Sequence, residues 1–392
     1  MIRRMTVALK ERARQRVVAA RGDLVALSRR IHGTPELAFQ EEQACAWLCE
    51  ALAGAGWEVE AGVYELPTAF AARAGSGPLR LVLCAEYDAL PEVGHACGHN
   101  LVAAMAVGAG LALAEVADDL GIEVTVLGTP AEETGGGKAL LLERGAFASA
   151  HAAMMVHPTP FDLADTPVIA CTQFDVHYTG KEAHAAAYPE LGVNAADALV
   201  VAQAAIGLLR QHLRPSDRVH GIVTKGGDVA NVVPARTSAR YMVRAATLEE
   251  LATVRAKVLR CFEAGALATG ARLEVTAEQR PYAEMHHDPD LLAAYRRNAE
   301  ALGRHLLDDQ GGPRVPISTD MGNVSLALPA IHPSISIDSL PAVNHQPEFT
   351  AHCISEAAEQ ALVDGAVAMA WTAVDAATDE RLRARLLGGP AA

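Results

Sequence analysis

Apolar residues recur at helical spacing over positions 6–31, where Val17, Leu24, Leu27 and Ile31 fall on one side of the helix they predict. Positions 40–56 predict a second helix, stopped by Gly54 and Gly56. The pattern then changes to short apolar runs of strand length, at 79–85, 122–127 and 152–156. Helical stretches at about 100–117 and 136–144 fill the intervals. Strands alternating with helices predict an α/β fold, a mainly parallel sheet with helices on both faces. In such sheets ligand sites form at the carboxyl ends of the strands, so the residues after each run carry the most information.

Between about 170 and 280 the pattern differs. It predicts strand 170–179, helix 193–213, strands 219–225 and 236–244, helix 248–269 and strand 271–279. The helix at 248 opens with Thr247 and Glu250 in capping-box spacing. A β-α-β-β-α-β order is that of a ferredoxin-like unit. The expected organisation is a larger domain in two parts, 1–169 and 281–392, interrupted by an inserted domain at 170–280.

Composition narrows the field. The 392 residues suit two or three domains at roughly 150 residues each. The chain is 51% hydrophobic but only 4% aromatic, so its core is built from Ala, Leu and Val. A formal net charge of -14 argues against nucleic acid or an anionic membrane as partner. The apolar run at 101–114 falls short of the ~20 residues that span a bilayer and reads as a buried helix. The Arg-rich start lacks the apolar stretch of a secretory signal. Seven cysteines, an odd number without framework spacing, point to a reducing compartment, hence a cytoplasmic location.

The chemically informative residues follow the apolar runs. After the first come Glu86-Tyr87-Asp88-Ala89-Leu90-Pro91 and Gly94-His95-Ala96-Cys97-Gly98-His99. After the second comes Pro130-Ala131-Glu132-Glu133, and after the third Val156-His157-Pro158. Thiolate, imidazole and carboxylate together suit a divalent metal of intermediate softness. Gly94 and Gly98 let the backbone turn sharply around Cys97 and His99. Adjacent side chains point in different directions, so one of Glu132 and Glu133 can bind metal while the other holds a water as general base. Asp88 suits orientation of a ligand imidazole, or a turn before Pro91. His157 ends an apolar run and suits a ligand. His345, in Val343-Asn344-His345-Gln346-Pro347, is a ligand or a plain loop histidine. Glu86 carries no legible role, and by themselves His184, Asn231 and Arg244 are unremarkable polar residues. A metal-dependent amide hydrolase fits these donors best.

Taken together, the segments resemble the dinuclear-zinc aminoacylase and carboxypeptidase superfamily, metallopeptidase family M-twenty, and within it the D subfamily of amidohydrolases. The resemblance runs from Arg30-Ile31-His32-Gly33-Thr34-Pro35-Glu36-Leu37 to His345 and beyond. The blocks Glu86–Asn100 and Thr319-Asp320-Met321-Gly322-Asn323-Val324-Ser325 look most like carnosine-type dipeptidase and p-aminobenzoyl-glutamate hydrolase members. The resemblance implies that Cys97, His99, Glu133, His157 and His345 hold two divalent ions, zinc first, with manganese or cobalt as alternatives. It implies Glu132 as general base and Asp88 as the carboxylate beside a ligand histidine. It makes the insert a lid and dimerisation domain, with His184 reaching the partner subunit's site in a homodimer. Asn231 and Arg244 would hold the carboxylate of an amide or dipeptide substrate. Two departures stand out: Asn100 where many members have Asp, and Glu92 where close relatives commonly have Gly.

Two other readings compete. Cys97 could be a nucleophile with His99, although no third member is placed to orient the pair. The chain could also be a metal-bearing protein that binds a small molecule without turning it over.

Overall fold

The chain is described by a computed structural model over residues 2–277, 279–307 and 317–388. Its strands, in chain order, are β1 (Glu58–Ala61), β2 (Phe70–Gly75), β3 (Leu79–Ala85), β4 (Ile122–Gly128), β5 (Ala152–Met154), β6 (His157–Thr159), β7 (Ala170–Thr179), β8 (Arg218–Lys225), β9 (Arg236–Ala245), β10 (Arg272–Thr276), β11 (Ala330–Ile331) and β12 (Ser334–Ser336). The helices are α1 (Ile2–His32), α2 (Glu42–Gly54), α3 (His99–Ala114), α4 (Ala117–Leu120), α5 (Gly137–Glu143), α6 (Ala195–Leu209), α7 (Leu248–Thr269), α8 (Pro289–Ala301), α9 (Met321–Ser325), α10 (Pro347–His352), α11 (Glu356–Thr378) and α12 (Glu380–Leu387). They form two compact units, one on Val168–Glu284 joined by Ser318, the other on the chain before and after it.

The first unit is built on a six-stranded sheet in the order β1-β2-β4-β3-β5-β11. The run β4-β3-β5-β11 is parallel, while β1 and β2 are antiparallel additions at one edge. Side chains alternate across it as strand geometry requires. Leu79, Leu81 and Leu83 of β3 join one core with Ile122, Val124 and Val126 of β4 and the helices α1, α3 and α11. Val82 and Cys84 join another with Leu140 and Leu141 of α5 and Met321 and Val324 of α9. Each such buried Leu or Val contributes roughly 1.5–3 kcal/mol over an exposed one. The result is the mainly parallel α/β sheet covered on both faces that the apolar runs predict. The antiparallel strands β1 and β2 are not legible in the sequence, because β1 is largely exposed and β2 turns polar at Arg73.

One expected strand is broken. The run at 152–156 ends as β5 at Met154, and His157 opens β6, which pairs in parallel with β12 in a separate two-stranded sheet. Continuing hydrogen bonds, from Met155 N–H to Ile331 O (3.2 Å) and from His157 N–H to Pro333 O (3.0 Å), keep the chain extended between them.

The second unit has a four-stranded antiparallel sheet in the order β10-β7-β9-β8, with its own core. Phe174, Val176 and Tyr178 of β7 and Tyr241 and Val243 of β9 meet Leu199 and Ile206 of α6 and Val258 and Phe262 of α7. The last expected strand, 271–279, is seen as β10; Glu278 lies outside the described residues. Only half of the expected capping box forms. Thr247 Oγ1 accepts the Glu250 N–H at 3.2 Å, but the Glu250 carboxylate pairs with Arg214 instead. Among the described residues no helix is long and apolar enough to cross a membrane.

Candidate metal centre

The first unit gathers its polar residues where β3 and β4 end. After β3 the chain stays buried through Glu86, Tyr87 and Asp88. It then turns into α3 through Gly98, at φ +81°. A Cβ there would sit 2.4 Å from Pro158 Cγ, so no other residue lets the Cys97–His99 turn approach the His157 segment this closely. After β4 the chain turns through Glu132 and Glu133 into α5. Gly137 is required there, since a Cβ would lie 1.7 Å from the Pro130 carbonyl oxygen.

His99 is fully buried. Its Nδ1–H donates to the Asp88 carbonyl (2.9 Å) and to Asp88 Oδ1 (3.0 Å). The lone pair is thereby left on Nε2, which has no hydrogen-bond partner and lies 3.3 Å from Glu86 Oε2 and 3.8 Å from Glu132 Oε2. The other oxygen of Asp88 accepts the Glu133 N–H at 2.9 Å, so one carboxylate ties the two motifs together. His157 repeats the arrangement. Its Nδ1–H donates to the Pro158 carbonyl (2.9 Å), and Nε2 faces Cys97 Sγ at 3.4 Å. His345 arrives from the far end of the chain at φ +71°, with its N–H on the Ala96 carbonyl (2.8 Å) and its Nε2 3.6 Å from Glu133 Oε2.

These side chains form overlapping sets of potential donor atoms, each within 4.8 Å of one another: Cys97, His99 and His157; Cys97, Glu133 and His345; His99, Glu132 and Glu133. Cys97 belongs to two of them. A fully buried Nε2 without a partner, facing carboxylates, is satisfied by a divalent cation, and the mixed sulfur, nitrogen and oxygen set suits ions of the zinc type. The residues present therefore fit a metal centre.

Electrostatics fit the same picture. Burial lowers the His157 pKa to about 3, keeping its ring neutral as a ligand must be. Burial alone would lower His99 too, but Asp88, Cys97 and Glu86 raise its pKa well above the ordinary value: these surroundings favour a positive charge at Nε2, which a proton supplies without metal and a divalent cation would supply in its place. Burial, then Glu86 and Glu133, push the Glu132 pKa well above the carboxylate range. Burial, then Glu133, push the Cys97 thiol up as well. A nucleophilic cysteine needs its thiol pKa lowered, whereas here burial raises it, which counts against that reading of Cys97.

Several residues without an assigned role prove central. Glu86, Lys138 and Asp320 are fully buried under the site. Lys138 Nζ lies 2.6 Å from Glu86 Oε1 and also contacts Asp320 Oδ1, while its N–H donates to Asp320 Oδ2 (2.7 Å). Burial would raise the Glu86 pKa, but the Lys138 ammonium and the His99 ring bring it down to about 2. His332, also buried, lies 5.5 Å from the His157 ring, centroid to centroid. The two departures also have local causes. Asn100 Nδ2 donates to Ser28 Oγ (2.9 Å) and the Cys353 carbonyl (3.2 Å); an ionised Asp could accept from the Ser28 hydroxyl but has no proton for the carbonyl, which it would repel. Glu92 sits at φ +66°, a conformation glycine takes without cost.

The remaining sequence candidates lie in the second unit. His184 and Asn231 are exposed neighbours, because the Ala185 N–H donates to the Asn231 carbonyl (3.0 Å) and the Val233 N–H to the Ala183 carbonyl (2.9 Å). His184 Nδ1 accepts the N–H groups of Ala186 and Ala187 (3.2 and 3.1 Å). Arg244 Nη1 donates to Ser318 Oγ (2.9 Å).

An α/β sheet with donors of this kind at its strand ends fits a metal-dependent hydrolase. The chain belongs to peptidase family M20/M25/M40, whose family model matches residues 82–373. It is 41% identical over 384 residues to the Xaa-Arg dipeptidase of Mus musculus, covering 94% of this chain and 88% of that one. It is 33% identical over 261 residues to one of the p-aminobenzoyl-glutamate hydrolase subunits of Escherichia coli K12, covering 61% of this chain and 54% of that one. A crystal structure of a dinuclear metal-binding M20 peptidase from Bacillus subtilis shares the fold, with a TM-score of 0.69 at 22% identity over 91% of this chain and 98% of that one.

Proposed function

We propose that this protein hydrolyses the amide bond of dipeptides or N-acyl amino acids whose amine side ends in a free carboxylate. The observation that carries the reading is Glu132: a buried carboxylate beside the ligand candidate Glu133, 3.8 Å from the partnerless Nε2 of His99. The similarity to the mouse Xaa-Arg dipeptidase supports dipeptides, those ending in arginine first. Two divalent ions held by Cys97, His99, Glu133, His157 and His345, zinc first and manganese or cobalt as alternatives, would polarise the scissile carbonyl and acidify the attacking water.

Glu132 takes the proton of that water and returns it to the departing amine. A carboxyl whose pKa is raised by burial suits both halves of that task. Asp88 keeps the proton of His99 on Nδ1 and holds the Glu133 amide, so Glu132 needs little reorganisation when it acts. Arg244 and Asn231 would fix the substrate carboxylate, for which the planar guanidinium is suited. The second unit would act as lid and dimerisation domain, with His184 donating to the developing oxyanion in the partner subunit's site.

The test is amine release from a panel of dipeptides and N-acyl amino acids by zinc- or manganese-loaded protein, with metal content measured alongside. Glu132→Gln should retain its metal and lose about 10²–10⁴ in rate. Equal turnover by the two proteins would overturn the role of Glu132. Wild-type protein with both metals bound and no turnover on any substrate would favour a binding protein.

A further inference from the structure

The turn that carries Glu132 is held from a direction no motif reveals. Glu41, just ahead of α2, is 0% exposed and forms no ion pair among the described residues. Its Oε1 accepts two backbone N–H groups, from Ala131 at 2.8 Å and from Phe39 at 2.9 Å. Both donors have left-handed backbones that side chains rarely adopt, at φ +60° for Ala131 and +63° for Phe39. The two strained residues also pack together around Gly135, where a Cβ would come within 2.4 Å of Phe39 Cε2 and 2.7 Å of Ala131 Cβ. Such conformations persist only where the surroundings over-determine them.

On the other side of Glu132, the Glu133 N–H is held by Asp88 Oδ2 at 2.9 Å. The amides immediately before and after the base are thus each anchored to a different buried carboxylate. We propose that Glu41 is a positioning residue for the hydrolysis proposed above: by accepting the Ala131 N–H it holds the strained turn that aims Glu132 and Glu133. The proposal rests on that reading for its kinetic consequence, and on the hydrogen bonds alone for its structural one. Released from Glu41, Ala131 can relax to an ordinary negative φ, which swings the following two carboxylates together. What the turn needs is an oxygen acceptor at Oε1, rather than a charge.

The experiment compares Glu41→Gln, which keeps a carbonyl oxygen at that place, with Glu41→Leu, which removes it. Metal-loaded Glu41→Leu should lose about 10- to 100-fold in kcat with KM within about 2-fold of wild type, as displacement of a reacting group does. Glu41→Gln should stay within about 3-fold of wild type in kcat. Cobalt-loaded protein gives a readout independent of turnover: the visible absorption should change in Glu41→Leu, because Glu133 moves, and remain that of wild type in Glu41→Gln. If Glu41→Leu does not fold, Glu41→Asp, which withdraws the oxygen by one methylene, carries the same expectation. Wild-type kcat in the acceptor-less variant, or equal losses in the Gln and Leu variants, would overturn the proposal and leave the hydrolase reading intact. A wild type inactive on every substrate would remove the hydrolase reading, and an unchanged cobalt spectrum in Glu41→Leu would then remove the positioning role as well.

Discussion

Lys138 offers a direct test of how the site is held together. Its ammonium is the counter-charge of Glu86 and Asp320, and all three residues are 0% exposed. Lys138→Met keeps the unbranched stem of the side chain, one atom shorter, and removes the charge. Removing one partner of a buried ion pair costs about 3–5 kcal/mol, because the charge left behind is desolvated and uncompensated. Two carboxylates lose their partner here, which places the expected cost at the upper end. An unfolding entropy of ~2.1 cal/mol/K per residue over the roughly 270 residues of the first unit gives ~0.57 kcal/mol/K, and hence a Tm lowered by roughly 7–9 °C near neutral pH. The pH dependence carries a sign. In wild type the Glu86 pKa is about 2 against an ordinary 4.5, so its contribution is complete above about 4.5 and lost only as the pH falls toward 2. Without the ammonium the Glu86 pKa rises, because burial is then offset only by the neighbouring histidines, and that of Asp320, already raised by burial to about 6, rises further, so ionisation of both becomes a cost that acidification relieves. The gap in Tm should therefore narrow between about pH 8 and about pH 5.5. Circular-dichroism melts of both proteins, without added metal, measure it. A variant melting within about 2 °C of wild type near pH 8, or a gap that widens on acidification, would refute Lys138 as the internal counter-ion.

Cys97 belongs to two donor sets and His345 to one, so their removal should differ. Cys97→Ala should reduce bound metal to less than one ion per chain and His345→Ala to about one, read by elemental analysis after gel filtration. His184→Ala should lower kcat by about 10²–10³ with little change in KM, as loss of an oxyanion donor does. Verified heterodimers of His184→Ala and Glu132→Gln should regain activity if the site is shared between the two protomers, and no recovery would place His184 elsewhere.

What the sequence shows and what it hides follow from how far apart contacting residues lie in the chain. The parallel strands were legible because burial on both faces makes them continuous apolar runs. The clustering of candidate donors was legible because Cys97 and His99 share a turn and Glu132 and Glu133 are adjacent. Glu86 and Lys138 are 52 positions apart, Lys138 and Asp320 182, and Glu41 and Ala131 90. No local periodicity relates such positions, so a buried lysine and a buried glutamate read as ordinary polar residues until the fold brings them together. His345 was ambiguous for the same reason, since its place is set by a backbone bond to Ala96.

The order in which the chain supplies the first unit has a consequence for synthesis. Cys97, His99, Glu133 and His157 all emerge from the ribosome before the second unit begins, whereas His345 follows His157 by roughly 190 residues, about 10–40 s at ordinary elongation rates. Through that interval β5 has no β11 beside it and β6 no β12, so a strand edge stands open next to a thiol and two imidazoles. The nascent protein thus passes through a stage with four of the five proposed metal donors made and its sheet unfinished. Early metal capture at that stage would protect the thiol from oxidation, and cells short of metal should accumulate aggregated chain and not merely inactive enzyme.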